Sequence, residues 1–270
     1  GLKPVDSLFS MYTCGQHVLY PDLPELIPTG KLPANHRFIG PVLWEPPVPL
    51  PVWWSRLPET KPLIYVNVGS SGSRNLCDKA VAAFGGRDDC VVAVATAGAD
   101  LPQALPSNVF AAPYLPGTKV LERAALMVCN GGSGSVYQAL TAGVPILGVP
   151  SNGDQYFSMA AVERAGVGRL VRAGYASASA LLGAASDLLS GRRYADRARQ
   201  FGQLMGVMKG PSAFSSFVQD YFQANGGAHG SATLEFSGRK AVKARETLEA
   251  YSCGSSRSLI AEFPSSFSTV

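Results

Sequence analysis

From Lys61 onward the chain alternates strand-like and helix-like segments, and no other feature restricts its fold as tightly. Pro62–Val68 is a continuous apolar, β-rich run that ends in Gly69-Ser70-Ser71-Gly72. Such a run, bounded by turn residues, fits a strand buried on both faces. A helix over Arg74–Phe84 follows, with Ser73 as a candidate N-cap. The same reading gives strands at Cys90–Ala97 and Asn108–Ala112, a helix at Thr118–Ala125, a strand at Leu126–Cys129 and a helix at Ser133–Ala142 ended by Gly143. Beyond these come a strand at Pro145–Val149, a helix at Tyr156–Ala165 ended by Gly166, a strand at Arg169–Arg172, and helices at Ser177–Ser190, Tyr194–Met208 and Pro211–Gln223. Strands that alternate with helices predict an α/β fold, a Rossmann-like doubly wound parallel sheet covered on both faces. Ligands of such sheets bind beyond the carboxyl ends of the strands, where the strand order reverses.

The flanks have a different character. Residues 1–60 carry many prolines, among them Pro46, Pro47, Pro49 and Pro51. Proline lacks the backbone donor and fixes φ, so this stretch is expected to be an irregular, extended connector with little core of its own. Trp44, Trp53 and Trp54 are expected to pack on something outside it. Residues 226–270 are rich in Ser and Gly, with one candidate basic helix at Lys240–Tyr251, and are expected to form a weakly ordered tail. The expected organisation is therefore a Pro-rich segment (1–60), a Rossmann-like domain (61–225) and a tail (226–270).

Charge and cysteine content narrow the function. The net charge is +4 with no long run of one sign, which argues against nucleic acid and mildly favours an anionic ligand. The five cysteines form no CxxC pair and no metal-ligand spacing with the three histidines. Buried free thiols in a reducing, cytoplasmic setting are the simplest reading. No apolar run reaches the length of a membrane span, and no basic-then-apolar leader follows Gly1, so a soluble chain is expected.

Two strand-to-helix turns carry the chemistry: Gly69-Ser70-Ser71-Gly72-Ser73 and Asn130-Gly131-Gly132-Ser133-Gly134-Ser135. Glycine lets backbone approach a ligand closely, and the free N–H groups that open the next helix favour a phosphate. Either turn alone is also what any tight strand–helix connection requires; two in one domain point to a ligand. Neither is a Walker A loop, since no Gly-Lys-Ser/Thr follows, and neither has the GxGxxG spacing of dinucleotide sites.

The stretch YLPGTKVLERAALMVCNGGSGSVYQALTAGVPILGVPSNGDQ, Tyr114 to Gln155, resembles the donor-site motif of GT-B glycosyltransferases of the UDP-glycosyltransferase kind. Counted from Asn130, Gln138 stands at eight, Asp154 and Gln155 at twenty-four and twenty-five, and Gly143, Pro145 and Pro150 are in register. The resemblance runs from about Ile39 to about Phe222, roughly two-thirds of the chain, and makes it the C-terminal, nucleotide-sugar-binding half of a GT-B fold.

That resemblance implies roles by position. Tyr114 would stack on the nucleobase, although a core tyrosine is the alternative. Asn130 stands where many members have a His at the diphosphate. Gly131, Gly132, Ser133, Gly134 and Ser135 would donate to the phosphates, with Ser70 and Ser71 closing the other side. Gln138 would reach the ribose hydroxyls, where many members use Glu. Asp154 and Gln155 would bond the donor sugar; Asp154 also reads as the N-cap of a helix at Tyr156. The implied ligand is a UDP- or dTDP-sugar used as co-substrate, with no cofactor and no metal, since no Asp-x-Asp occurs. The implied reaction is a metal-independent, inverting hexosyl transfer, and the acceptor is left open among natural products, lipids and other small molecules.

The acceptor half of such an enzyme, and its catalytic base, are not visible in the residues. His17 and His36 lie in the Pro-rich stretch rather than in a strand–helix turn, and His229 lies in the tail. Three readings follow: a donor domain of a truncated glycosyltransferase, a donor-binding subunit completed by a separate acceptor-domain chain, or a nucleotide-binding module without transfer activity. An apolar seam where an acceptor domain belongs, carrying the three tryptophans, would promote self-association.

Overall fold

The structure, a computed structural model, describes residues 7–69, 75–99, 104–208 and 210–224. The tail with its Lys240–Tyr251 helix, His229, and Ser70 and Ser71 lie outside those residues. The chain divides into two compact units at Val218.

Within the first unit, the N-terminal segment holds a short helix α1 (Leu8–Thr13) and two three-residue strands, β1 (Val18–Tyr20) and β2 (His36–Phe38), which pair in parallel. This differs from the extended connector expected there. Pro21 follows β1, and Pro33 and Pro41 flank β2, so proline bounds these strands without interrupting them. Leu23, Leu26 and Leu57 are buried in the main core, so the segment contributes to it.

The main sheet has strands β3 (Leu63–Asn67), β4 (Val91–Ala95), β5 (Val109–Ala112), β6 (Ala124–Cys129), β7 (Ile146–Gly148) and β8 (Gly168–Leu170). Its order among the described residues is β5-β4-β3-β6-β7-β8, all parallel. The chain works outward from β3 to one edge, then returns to β6 and works outward to the other. The order therefore reverses between β3 and β6, and this is the switch point.

The helices are α2 (Asn75–Phe84), α3 (Gly117–Leu121), α4 (Ser133–Thr141), α5 (Gly153–Ala165), α6 (Ala178–Leu189), α7 (Arg193–Val207) and α8 (Gly210–Ala224). Alternate residues of β3 enter different cores, as the period of a strand requires. Leu63 and Tyr65 pack with residues of α3, α4, α5 and α7. Ile64, Val66 and Val68 pack with residues of α2 and α6. The sheet is thus doubly wound. Helix α3 is shorter than expected: it stops at Leu121, and Ala124 and Ala125 already belong to β6. In the second unit, the described residues are the end of α8, where Tyr221 and Phe222 meet edge to face.

No helix among the described residues is long and apolar enough to cross a membrane.

Candidate functional site

Gly69, which opens the first glycine-serine turn, follows β3, and the second turn follows the adjacent strand β6, so these described residues flank the switch point. Each is shaped by an asparagine at or just past its strand. Asn67 Oδ1 accepts from the Gly69 N–H at 3.0 Å, and Asn130 Oδ1 accepts from the Gly132 N–H at 3.2 Å. These side-chain turns fix where the chain leaves each strand. The turns also meet: a Cβ at Gly69 would lie 3.2 Å from Asn130 Nδ2. Asn130 is only 3 % exposed. The second turn is crowded from behind, because Gly131 has φ +81° and a Cβ there would lie 2.4 Å from Met159 Cγ on α5.

Past this turn α4 begins at Gly132 with no side-chain cap. Helices α5 and α6, by contrast, are capped by Asn152 and Ser177. The first N–H groups of a helix have no partner within it, so an uncapped start directed at a cleft is a ready-made anion site.

That cleft, of about 470 Å³, opens at the strand ends. Gly69, Gly134 and Ser135 lie along one part of it; Tyr114, Leu115 and Gly117 along another; Asn67, Tyr65 and Thr96 are also in its wall. Tyr114 follows β5 and is 54 % exposed, which leaves a ring face open to the cleft rim. The core-tyrosine alternative does not describe it. Gln138, half-buried on α4, donates through Nε2 to the Trp44 carbonyl at 3.0 Å. Its Oε1 sits 2.9 Å from where a Cβ of Gly117 would be, so a side chain at 117 would displace this amide from its present position. Ala97, also in the wall, has φ +50°, a conformation that a residue with a Cβ adopts at some cost. Burial pushes the Tyr65 phenol well above the usual tyrosine range, and the Glu45 carboxylate adds to that, so it stays neutral.

The structure thus gathers Tyr114, Gly134, Ser135 and Gln138 in one cleft, with Asn130, Gly131, Gly132 and Ser133 forming the turn that leads into it. Asp154 and Gln155 stand apart from that lining, at the start of α5. The helix begins at Gly153, not Tyr156, and Asn152 rather than Asp154 is its cap, accepting from the Gln155 N–H at 3.1 Å. Asp154 is exposed in the first turn. Gln155 is 1 % exposed, and its Oε1 accepts from Ser151 N at 2.9 Å and Ser151 Oγ at 3.1 Å. In this structure that side chain braces the β7–α5 loop. The backbone of Gln155 nonetheless abuts Gly131, which ties the two loops together.

Two of the tryptophans pack on residues outside their own segment, as expected, and so take no part in an exposed seam. Trp53 and Trp54 pack against the main core, with Trp53 Nε1 donating to the Ala111 carbonyl at 3.2 Å and its ring 5.5 Å from Phe110. Only Trp44, 77 % exposed, lies on an open surface, at the cleft mouth. Neither His17 nor His36 lines the cleft: His36 Nδ1 is bonded to Tyr20 Oη at 2.8 Å, and His17 packs edge-on to Phe217. Sequence reading missed Glu45, Asn67 and Thr96 as cleft residues. Asn67 was recoverable as the polar residue that ends a buried strand; nothing local marks Glu45. Among the described residues no three His, Cys, Asp or Glu side chains gather as metal ligands would.

Comparison with known proteins bears on the family and the fold. Residues 78–212, half of the chain, match the model of the erythromycin biosynthesis protein CIII-like C-terminal domain. Over 199 residues, 74 % of this chain and 46 % of the relative, it is 45 % identical to a PGL/p-HBAD biosynthesis glycosyltransferase of Mycobacterium tuberculosis H37Ra. Over 200 residues, 74 % of this chain and 44 % of the relative, it is 44 % identical to a PGL/p-HBAD biosynthesis rhamnosyltransferase of Mycobacterium bovis BCG Pasteur. The chain therefore spans about half the length of the curated relatives it matches. Its fold matches the spinosyn rhamnosyltransferase SpnG complexed with thymidine diphosphate, with a TM-score of 0.61 and 18 % identity, over 76 % of this chain and 56 % of that one. The chain belongs to the erythromycin biosynthesis protein CIII-like C-terminal domain family of GT-B glycosyltransferases.

Proposed function

We propose that this domain binds a pyrimidine nucleoside diphosphate sugar, UDP- or dTDP-linked, and serves as the donor half of a metal-independent, inverting hexosyl transfer to a hydroxyl-bearing acceptor. The observation that carries the reading is the uncapped start of α4, placed at the switch point and opening on a cleft with Tyr114 at its rim. The diphosphate lies over the N–H groups of Ser133, Gly134 and Ser135, and the base stacks on Tyr114. When the glycosidic bond breaks, negative charge collects on the departing diphosphate. Fixed N–H dipoles already aimed there stabilise it without reorganising. The thymidine diphosphate named with SpnG and the transferase names of the relatives support this direction. Asp154, exposed at the start of α5, contacts the sugar. The acceptor and the base that deprotonates it belong to residues beyond this cleft.

Titration calorimetry with UDP, dTDP and their hexose conjugates, with and without chelator, tests the proposal. Binding that survives chelator is the expected result. No heat with any of these ligands at millimolar concentration would refute it.

A further inference from the structure

The described groups that line the cleft are neutral with one exception. Glu45 is the only charged side chain among the described residues that line it. It arrives from the segment that precedes the sheet and is pinned there: its Oε2 accepts from the Thr118 N–H at 2.7 Å. The adjoining Trp44 carbonyl takes the Gln138 amide at 3.0 Å. Glu45 is half-buried, so its charge is only partly exposed to water, and its Oε1 has no protein partner among the described residues.

A carboxylate repels a diphosphate, so this end of the cleft is not the phosphate end. The phosphate end is at the turns after β3 and β6, whereas Glu45 is anchored beyond β5, beside Gly117 and the Tyr114 rim. A ligand with its phosphates at α4 and its base on Tyr114 places its pentose between them. A pentose hydroxyl is a donor, and a carboxylate that accepts from it forms a strong, charge-assisted bond. Both ribose and deoxyribose carry the 3′-hydroxyl.

We propose, on the basis of the donor-site reading above, that Glu45 holds the nucleoside's pentose, with Oε1 accepting the 3′-hydroxyl beside the Gln138 amide. The segment Trp44–Pro46 is then part of the nucleotide site, and the pinning by Thr118 and Gln138 presets the carboxylate for its ligand.

The test is calorimetry of the chain with dTDP and with 2′,3′-dideoxythymidine diphosphate, which lacks only that hydroxyl. The wild type should bind dTDP about tenfold more tightly than the dideoxy compound. Glu45→Gln should bring that ratio close to one, mainly by weakening dTDP, while Glu45→Asp, which keeps the charge but withdraws it by one methylene, should give an intermediate ratio. Melting curves of both variants establish that they are folded. A ratio that stays tenfold in folded Glu45→Gln, or a loss equal for both ligands, overturns the proposal. If the wild type binds neither compound, the donor-site reading falls and this proposal with it; if it binds both and only the ratio fails to respond, the role of Glu45 alone is wrong.

Discussion

Two glycines of the same turn show how far a single Cβ decides the outcome. Gly131 sits at positive φ against Met159, whereas a Cβ at Gly134 would meet nothing within 4 Å. Gly131→Ala should therefore destabilise the domain by about 1–3 kcal/mol. Gly134→Ala, in the first turn of α4, should be neutral or stabilising by up to about 1 kcal/mol. Urea unfolding of both variants checks the contrast, and equal effects would contradict the packing described. The buried thiols give a pH dependence. Burial pushes Cys129 from its ordinary value of 9.0 up to about 12 and Cys77 up to about 11. Their protonated, neutral form is the one the core accepts, so unfolded thiols ionise first. That stabilisation is complete below pH 9 and is lost as pH rises from 9 toward 12, by up to about 1.4 kcal/mol per pH unit for each group. Urea midpoints measured between pH 8 and 10.5 should fall, and the fall should be shallower in Cys129→Ala. A midpoint that does not move would contradict it.

At the scale of elements, α5 carries the sharpest distinction. Asn152 caps it, and Asp154, two residues on, is exposed. Asn152→Ala should cost about 1 kcal/mol of stability. Asp154→Ala should leave stability nearly unchanged and weaken the nucleotide-sugar more than the bare nucleoside diphosphate, by about 1 kcal/mol in the difference. Calorimetry with dTDP and a dTDP-hexose separates the two, and equal losses for both ligands would remove Asp154 from the sugar site. The start of α5 was hard to place from sequence because Ser151, Asn152 and Asp154 are all good caps; only the hydrogen bond to the Gln155 N–H decides among them. The strands were easier. β3, β4 and β6 are apolar runs bounded by turn residues, and each is buried in the sheet as such runs must be.

For the molecule as a whole, what was legible is what depends on order along the chain. Alternating strands and helices impose a parallel sheet, and the two glycine-serine turns announce the ligand end of β3 and β6. What was not legible depends on contacts between segments far apart in sequence. Leu23 and Leu57 sit in a Pro-rich stretch with no periodic pattern, so their place in the core could not be read from it. Glu45 reaches the cleft only because Thr118 and Gln138 lie beside it in space. The central claim is that one cleft at the switch point holds the whole nucleoside diphosphate. A crystal structure of the chain with bound dTDP tests this most directly. The account predicts the diphosphate over the N–H groups of Ser133–Ser135 and the thymine ring against Tyr114. Density for the nucleotide at any other surface, with this cleft empty, would contradict it.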